Sequence, residues 1–257
     1  RVSDSAILAN AKDEVLPIFI FDKNILDKLE KDDKRVTFIY ESVLKLKEDL
    51  KKSGLNLAIF YSTPKEVFEN FKNEGFDSIL CSVDFDNYAK KRDEEIAKII
   101  PMETFTDSFI THPNDCLKAD KTPYKVFTPY YNNLKFIWDS YRLEEFKINK
   151  NLKLISFDFD SIPTLENMGF IKQTLPQFLQ KSADELLEDF GQKIDNYKVD
   201  RDFFDKNATS NLAVHLRFGL ISARQVFNKI KELKARTENK EFFIRELFWR
   251  EFYNYIL

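Results

Sequence analysis

The sequence predicts an α/β fold: a doubly wound parallel sheet over the first hundred or so residues, then a long connector, then helices only. Three observations predict it. Short apolar runs of strand length recur at residues 16–22 (LPIFIFD), 55–61 (LNLAIFY) and 77–83 (DSILCSV). The segments between them carry apolar residues at helical spacing, and such alternation covers both faces of a parallel sheet. From about residue 181 the strand-like runs stop and capped helical segments follow one another.

In chain order, LPIFIFD ends in an acid and reads as a buried strand. Val36, Ile39, Tyr40, Val43, Leu46 and Leu50 then fall three or four apart, and Gly54 sits where a left-handed helix cap belongs. After LNLAIFY, the residues Thr63, Pro64 and Glu66 place a capping hydroxyl, a first-turn proline and a capping-box acid in order, which starts a helix ending near Gly75. DSILCSV, a charged helix from about Asp86 to Ile100 and a strand near Thr104 complete the alternation. The glycine-rich phosphate loop of dinucleotide-binding folds is not in this stretch.

Between about 112 and 180 the periodicity weakens and prolines recur at 113, 123, 129, 163 and 176. The aromatic stretch YKVFTPYYNNLKFIW (124–138) is expected to turn at Pro129 and continue as a helix. Ser182 and Glu185 form a capping box for a helix with Leu186, Phe190, Ile194 and Tyr197 on one stripe, and Ser222 with Gln225 caps another bearing Val226, Ile230 and Leu233. A last helix is expected from about Glu238 to the end. These signals divide the chain into an α/β domain at 1–115, a connector at 116–180 and the start of a helical domain at 181–257.

With 257 residues, 43% of them hydrophobic, the chain can build a real core, and 26 Phe with 10 Tyr fit a helical interior or a planar ligand. Forty basic against 43 acidic side chains give a net charge of -3, so any nucleic-acid contact must be local rather than a global field. Cys81 and Cys116 are too few and too far apart for a disulfide framework or a zinc site, and no metal centre is expected. The absence of an apolar run of spanning length predicts a soluble, cytoplasmic protein without a membrane role. The start at Arg1 without Met and the stop at Leu257 within an apolar pattern lead to the expectation that both ends are truncated.

The closing segment ENKEFFIRELFWREFYNYIL leaves no wide polar face yet carries Arg245, Glu246, Arg250 and Glu251, and buried charges need partners. Glu246, Trp249, Arg250 and Tyr253 share one helical face. From spacing alone, the simpler reading is an intrahelical Glu246–Arg250 salt bridge with Trp249 in the core; the alternative is a carboxyl beside an indole that meets a planar polar substrate. In YKVDRDFFDKNATSNLAVHLRFG (197–219), Thr209 and Ser210 stand ahead of a short helix, either as a plain N-cap or as phosphate-holding hydroxyls. Arg217 and Arg224 read as surface or helix-end charges, His215 as a core or surface histidine and His112 as a loop residue. No nucleophile elbow or catalytic triad is visible.

Five segments, in order along the chain, resemble the photolyase and cryptochrome family: RVSDSA (1–6), LPIFIFD (16–22), YKVFTPYY (124–131), YKVDRD with NATSNLAVHLRFGLISARQV (197–202 and 207–226), and ELFWREFY (246–253). The chain departs from the family pattern at Ala213, where the TSxLS motif has Ser, and at Ser5, where Asn is usual. The resemblance implies a Rossmann-like antenna domain followed by the first part of a helical domain that holds FAD. Tyr197, Thr209, Ser210, Asn211, Leu212, Ala213, Phe243 and Arg250 fall on flavin contacts. Arg201, Glu246, Trp249, Arg250 and Tyr253 fall where the family meets DNA or the flipped lesion.

The implied activity is light-driven repair of cyclobutane pyrimidine dimers in UV-damaged DNA by a monomeric enzyme. Excited reduced FAD gives an electron to a dimer extruded from the duplex, since a stacked dimer is out of reach. Trp249 would stack on the dimer, and Glu246 would hydrogen-bond a base, a role that favours a protonated carboxyl in an apolar setting. A second antenna chromophore, a folate or a deazaflavin, is compatible with the family. Two alternatives stay open: a cryptochrome-type photoreceptor that binds FAD without repair, and an antenna-binding module without catalysis.

Overall fold

Every strand pair among the described residues is parallel. The computed structural model describes residues 1–256 and separates into two units, Arg1–Phe105 with Phe146–Gln177, and Thr106–Glu145 with the chain from Phe178 onward. The first unit runs α1 (Ala6–Asn10), β1 (Glu14–Val15), β2 (Ile18–Asp22), α2 (Lys23–Leu26), α3 (Lys34–Lys52), β3 (Ala58–Ser62), α4 (Pro64–Asn73), β4 (Ile79–Ser82), α5 (Asn87–Ala97), β5 (Met102–Phe105) and β6 (Lys153–Leu154). Its ladders are β2 with β3, β4 with β5, and β1 with β6. Ile18 stands opposite Ala58 in the first of these, and Ile79 opposite Met102 in the second.

Alternation along β2 and β3 makes the unit doubly wound. Phe19, Phe21, Ile59 and Tyr61 point to one face and pack with Val36, Val43 and Leu50 of α3. Ile18, Ile20 and Phe60 point to the other and pack with Val67 and Phe71 of α4 and with Ile100. The caps stand where the residue types require them. Thr63 and Glu66 close the capping box of α4, and Gly54 and Gly75 take positive φ at the helix ends, a region side chains with a Cβ avoid.

The expected connector does not stay between the units. Residues 146–177 return to the first unit, where β6 pairs with β1 and Leu165, Met168 and Phe170 enter the core. The Phe146 N–H donates to Asp4 Oδ1 at 2.8 Å and the Gln173 N–H to Thr37 Oγ1 at 3.1 Å. Lys47, itself buried, donates to the carbonyls of Leu57 and Phe159 at 2.7 and 2.8 Å. Residues 106–145 instead belong with the helices. Two-residue ladders and isolated apolar contacts leave no period in the sequence, which is why this partition differs from the expected boundaries.

The second unit holds α6 (Phe127–Asn133), α7 (Lys135–Asp139), α8 (Gln177–Gln180) apart from its first residue, α9 (Ala183–Gly191), α10 (Tyr197–Asp200), α11 (Ala213–Arg217), α12 (Ala223–Glu232) and α13 (Thr237–Tyr255). Leu257, the last residue of the expected final helix, lies outside the described residues. Capping boxes at Ser182 with Glu185 and Ser222 with Gln225 start α9 and α12. The helix at 124–138 begins at Phe127, ahead of Pro129 rather than after it, because a proline is tolerated in a first helical turn. The stripe Leu186, Phe190, Ile194 and Tyr197 is not on one helix: α9 ends at Gly191, and a 3₁₀ turn at Ile194–Asn196 and α10 carry the last two. All four nevertheless enter one core with Phe243, Ile244, Leu247, Phe248 and Phe252 of α13. No helix among the described residues is long and apolar enough to cross a membrane.

Candidate functional site

The site is built on α13, whose charges find partners from other elements. Glu246 pairs with Arg201 at 2.6 Å, its side chain one-third exposed. The predicted intrahelical Glu246–Arg250 bridge is not made. Arg250 instead donates from Nη1 to the Ser108 carbonyl at 2.9 Å, from Nη2 to the Leu216 carbonyl at 3.3 Å, and lies 3.5 Å from Glu251. An i,i+4 pair contributes only about 0.2–0.5 kcal/mol, so hydrogen bonds to the Ser108 and Leu216 carbonyls outcompete it. The ion pair with Arg201 also replaces the apolar setting expected around Glu246.

Arg201 stands at the end of α10, its guanidinium 5.5 Å from the Tyr197 ring centroid and 5.9 Å from that of Phe242. The bond to Glu246 holds the guanidinium above its already high ordinary pKa, so it is a fixed positive charge. Tyr197 is buried, and desolvation pushes its hydroxyl up to about 12. It meets Phe190 edge-on at 5.3 Å and Phe243 at 5.4 Å.

Trp249 is half-buried, with Phe127 stacked on one face of its indole at 3.7 Å and 8°. Tyr253, 60% exposed, lies beside it at 5.6 Å and 28°. Phe127 is not among the expected site residues, although YKVFTPYY, which holds it, is one of the segments that carry the family resemblance. Its partner lies 122 positions away, so no spacing rule could have found the stack.

The predicted cofactor residues divide by exposure. Thr209 and Ala213 are exposed and Ser210 and Asn211 half-buried, whereas Tyr197, Leu212 and Phe243 belong to the core. Neither Thr209 nor Ser210 caps α11: the N-cap is Leu212, without a side-chain cap. The Leu212 N–H reaches Ser210 Oγ at 3.4 Å, and Asn211 turns the chain with φ of 57°, a conformation Asn tolerates better than most residues. Two hydroxyls and an amide on three successive residues are a donor set suited to phosphate oxygens. The core-facing aromatics are already packed against protein.

Two buried acids and two arginines lie behind this face. Arg224, read as a surface or helix-end charge, stands in the first turn of α12 but is buried and pairs with buried Asp107 at 3.3 Å. Glu251, which the sequence did not flag as a site residue, is 2% exposed and accepts from the N–H groups of Ile110 and Thr111 at 2.8 and 3.2 Å. Burial pushes its carboxyl up to about 7 against the pull of Arg250 and those two N–H groups. His215 is a core residue, its Nε2 2.9 Å from the Lys181 carbonyl. Among the described residues no three His, Cys, Asp or Glu side chains are grouped as a metal set.

Comparison with known proteins places the chain by sequence and fold. The chain is 28% identical over 235 residues to the deoxyribodipyrimidine photo-lyase of Alkalihalophilus pseudofirmus, covering 85% of this chain and 48% of that one. It superposes on a bacterial class III photolyase from Agrobacterium tumefaciens with a TM-score of 0.82 at 22% identity, covering 100% of this chain and 56% of the other. An archaeal photolyase from Sulfolobus tokodaii, solved with two FAD molecules, gives 0.78 at 25% identity over 99% and 56%. The chain thus spans about half the length of the relatives it matches. The sequence model of the DNA photolyase family matches residues 1–146, more than half of the chain, and this protein therefore belongs to the DNA photolyase family.

Proposed function

We propose that this chain supplies the antenna-type domain and part of the catalytic domain of a flavoenzyme that repairs cyclobutane pyrimidine dimers with light. The observation that carries the reading is the outer face of α13, where the carboxylate of Glu246, held by Arg201, lies one helical turn from an indole backed by Phe127. A carboxylate can accept hydrogen bonds from base N–H groups, and an indole can stack on a base lifted from the duplex. Such stacking is worth about 1–3 kcal/mol per base. Only an extruded lesion could reach both.

Phe127 fixes the plane of Trp249, so the stacking surface is set before DNA arrives. Arg201 has two roles in this reading. It orients Glu246 in the free protein and, once a phosphate competes for its guanidinium, anchors the DNA backbone beside the lesion. The exposed hydroxyl of Thr209 with Ser210 and Asn211 would hold the phosphates of FAD, while Tyr197, Leu212 and Phe243 shape the wall beneath. Bound FAD, when reduced and excited, supplies the electron that splits the dimer.

The test uses the full-length gene product: its absorption spectrum, and its affinity for an oligonucleotide with one thymine dimer against the undamaged strand. Flavin absorption and preferential lesion binding are expected, with Trp249→Ala losing about 1–3 kcal/mol of lesion affinity. Equal affinity for both strands, or no effect of Trp249→Ala and Glu246→Ala, would remove the repair reading. Flavin without lesion preference would favour a cryptochrome-type receptor.

A further inference from the structure

Five consecutive residues without regular structure, 107–111, are each gripped through the main chain by a charged side chain of α12 or α13. Arg224 donates to the carbonyls of Asp107 and Phe109 at 3.3 and 3.1 Å. Arg250 donates to that of Ser108 at 2.9 Å. Glu251 accepts from the N–H groups of Ile110 and Thr111. Irregular backbone packed against helices, buried at Asp107 and half-buried over 108–111, needs its polar groups satisfied, and here three ionic side chains do so residue by residue. The same Arg250 reaches the Leu216 carbonyl in α11, directly after the hydroxyl segment 209–211.

Along α13, Glu251 is two positions from Trp249 and five from Glu246, so its side chain leaves the helix on a different face from theirs. A residue locked there sets the rotation of the helix without touching anything the outer face binds. From this juxtaposition we infer that Glu251 and Arg250 are positioning residues: they fix the register of α13, and hence the stacking plane of Trp249, against 107–111 and α11. The inference rests on the proposed function only in taking Trp249 and Glu246 as the residues that meet the lesion.

The charged and titratable groups around Glu251 are Arg250 on its own helix, Arg224 of α12 with its partner Asp107, and Cys116 and Tyr130, whose ionisation its charge opposes. Gln at 251 keeps an oxygen for the two N–H groups, whereas Ala removes it.

The test is made in the full-length protein, each variant being measured with and without Trp249→Phe so that the difference spectrum isolates Trp249. Near-ultraviolet circular dichroism and emission of Trp249 report its stack on Phe127. Glu251→Ala is expected to lose the Trp249 near-ultraviolet band and shift its emission to the red while far-ultraviolet dichroism persists, and Glu251→Gln to retain both signals. If Glu251→Ala does not fold, Arg250→Gln is read in the same way and is expected to move the Trp249 signals. A folded Glu251→Ala or Arg250→Gln protein with unchanged Trp249 signals overturns the proposal. So does a Gln variant as impaired as the Ala variant. Because these readouts need neither DNA nor flavin, they stand apart from any failure of lesion binding, which would count against the proposed function instead.

Discussion

Replacing Asp107 by Ala removes one partner of a buried ion pair and leaves the Arg224 guanidinium in place. Both side chains are less than one-tenth exposed and their charged atoms lie 3.3 Å apart. Stranding one member of such a pair costs about 3–5 kcal/mol. The carbonyls of Asp107 and Phe109 still accept from Arg224 in the variant, which places the expected loss near the lower end, about 3 kcal/mol. Asp107→Asn keeps an acceptor but not the charge, and should lose about 1.5–3 kcal/mol. Urea unfolding followed by tryptophan emission is the assay, because Trp138 and Trp249 both lie in the unit that holds the pair. A double-mutant cycle with Arg224→Ala should return a coupling of about 1–3 kcal/mol. A loss below about 1 kcal/mol for Asp107→Ala, or a coupling near zero, would refute the claim that the pair closes this part of the core.

Phe248 is wholly buried at the centre of α13, and Phe248→Ala should destabilise the second unit by about 3–5 kcal/mol in the same unfolding assay. Glu251 titrates at about 7 in the folded chain against an ordinary 4.5. The folded state therefore binds that proton more tightly; the stability it gives is full below 4.5 and is lost as pH rises through 7, and Glu251→Gln should flatten melting temperature over that window. Glu66 has the opposite sign, with hydrogen bonds from Ser62 and Thr63 holding it at about 2. Its contribution is full above 4.5 and lost as pH falls toward 2, so Glu66→Gln should reduce the acid sensitivity of the first unit's melting. Ser222→Ala removes the cap of α12 and should cost about 1 kcal/mol by chemical denaturation.

Local chemistry made much of this fold legible. Thr63, Ser182 and Ser222 announce helix starts because capping needs only neighbours three residues away, and Gly54 and Gly75 announce ends because the left-handed region excludes most side chains. Alternating Phe19, Ile20 and Phe21 betrays a strand buried on both faces. What failed was long-range. Glu246 looked like a partner for Arg250 because the two are one turn apart, yet Arg201, 45 positions away, takes the carboxylate. The burial of Arg224 at the start of α12 could not be read, because its partner Asp107 belongs to a segment without any period. The return of residues 146–177 to the sheet rests on the two-residue β1–β6 ladder, on Leu165, Met168 and Phe170, and on hydrogen bonds such as Asn149 Nδ2 to the Ala11 carbonyl, which no window along the chain can anticipate.

Light-driven dimer repair at the outer face of α13 is tested by the conversion of a thymine-dimer oligonucleotide to intact strand by the full-length, FAD-loaded protein under blue light and in darkness. Conversion is expected in light alone, reduced by Trp249→Ala and by Glu246→Ala. Flavin-loaded protein that leaves the dimer intact in light would contradict it.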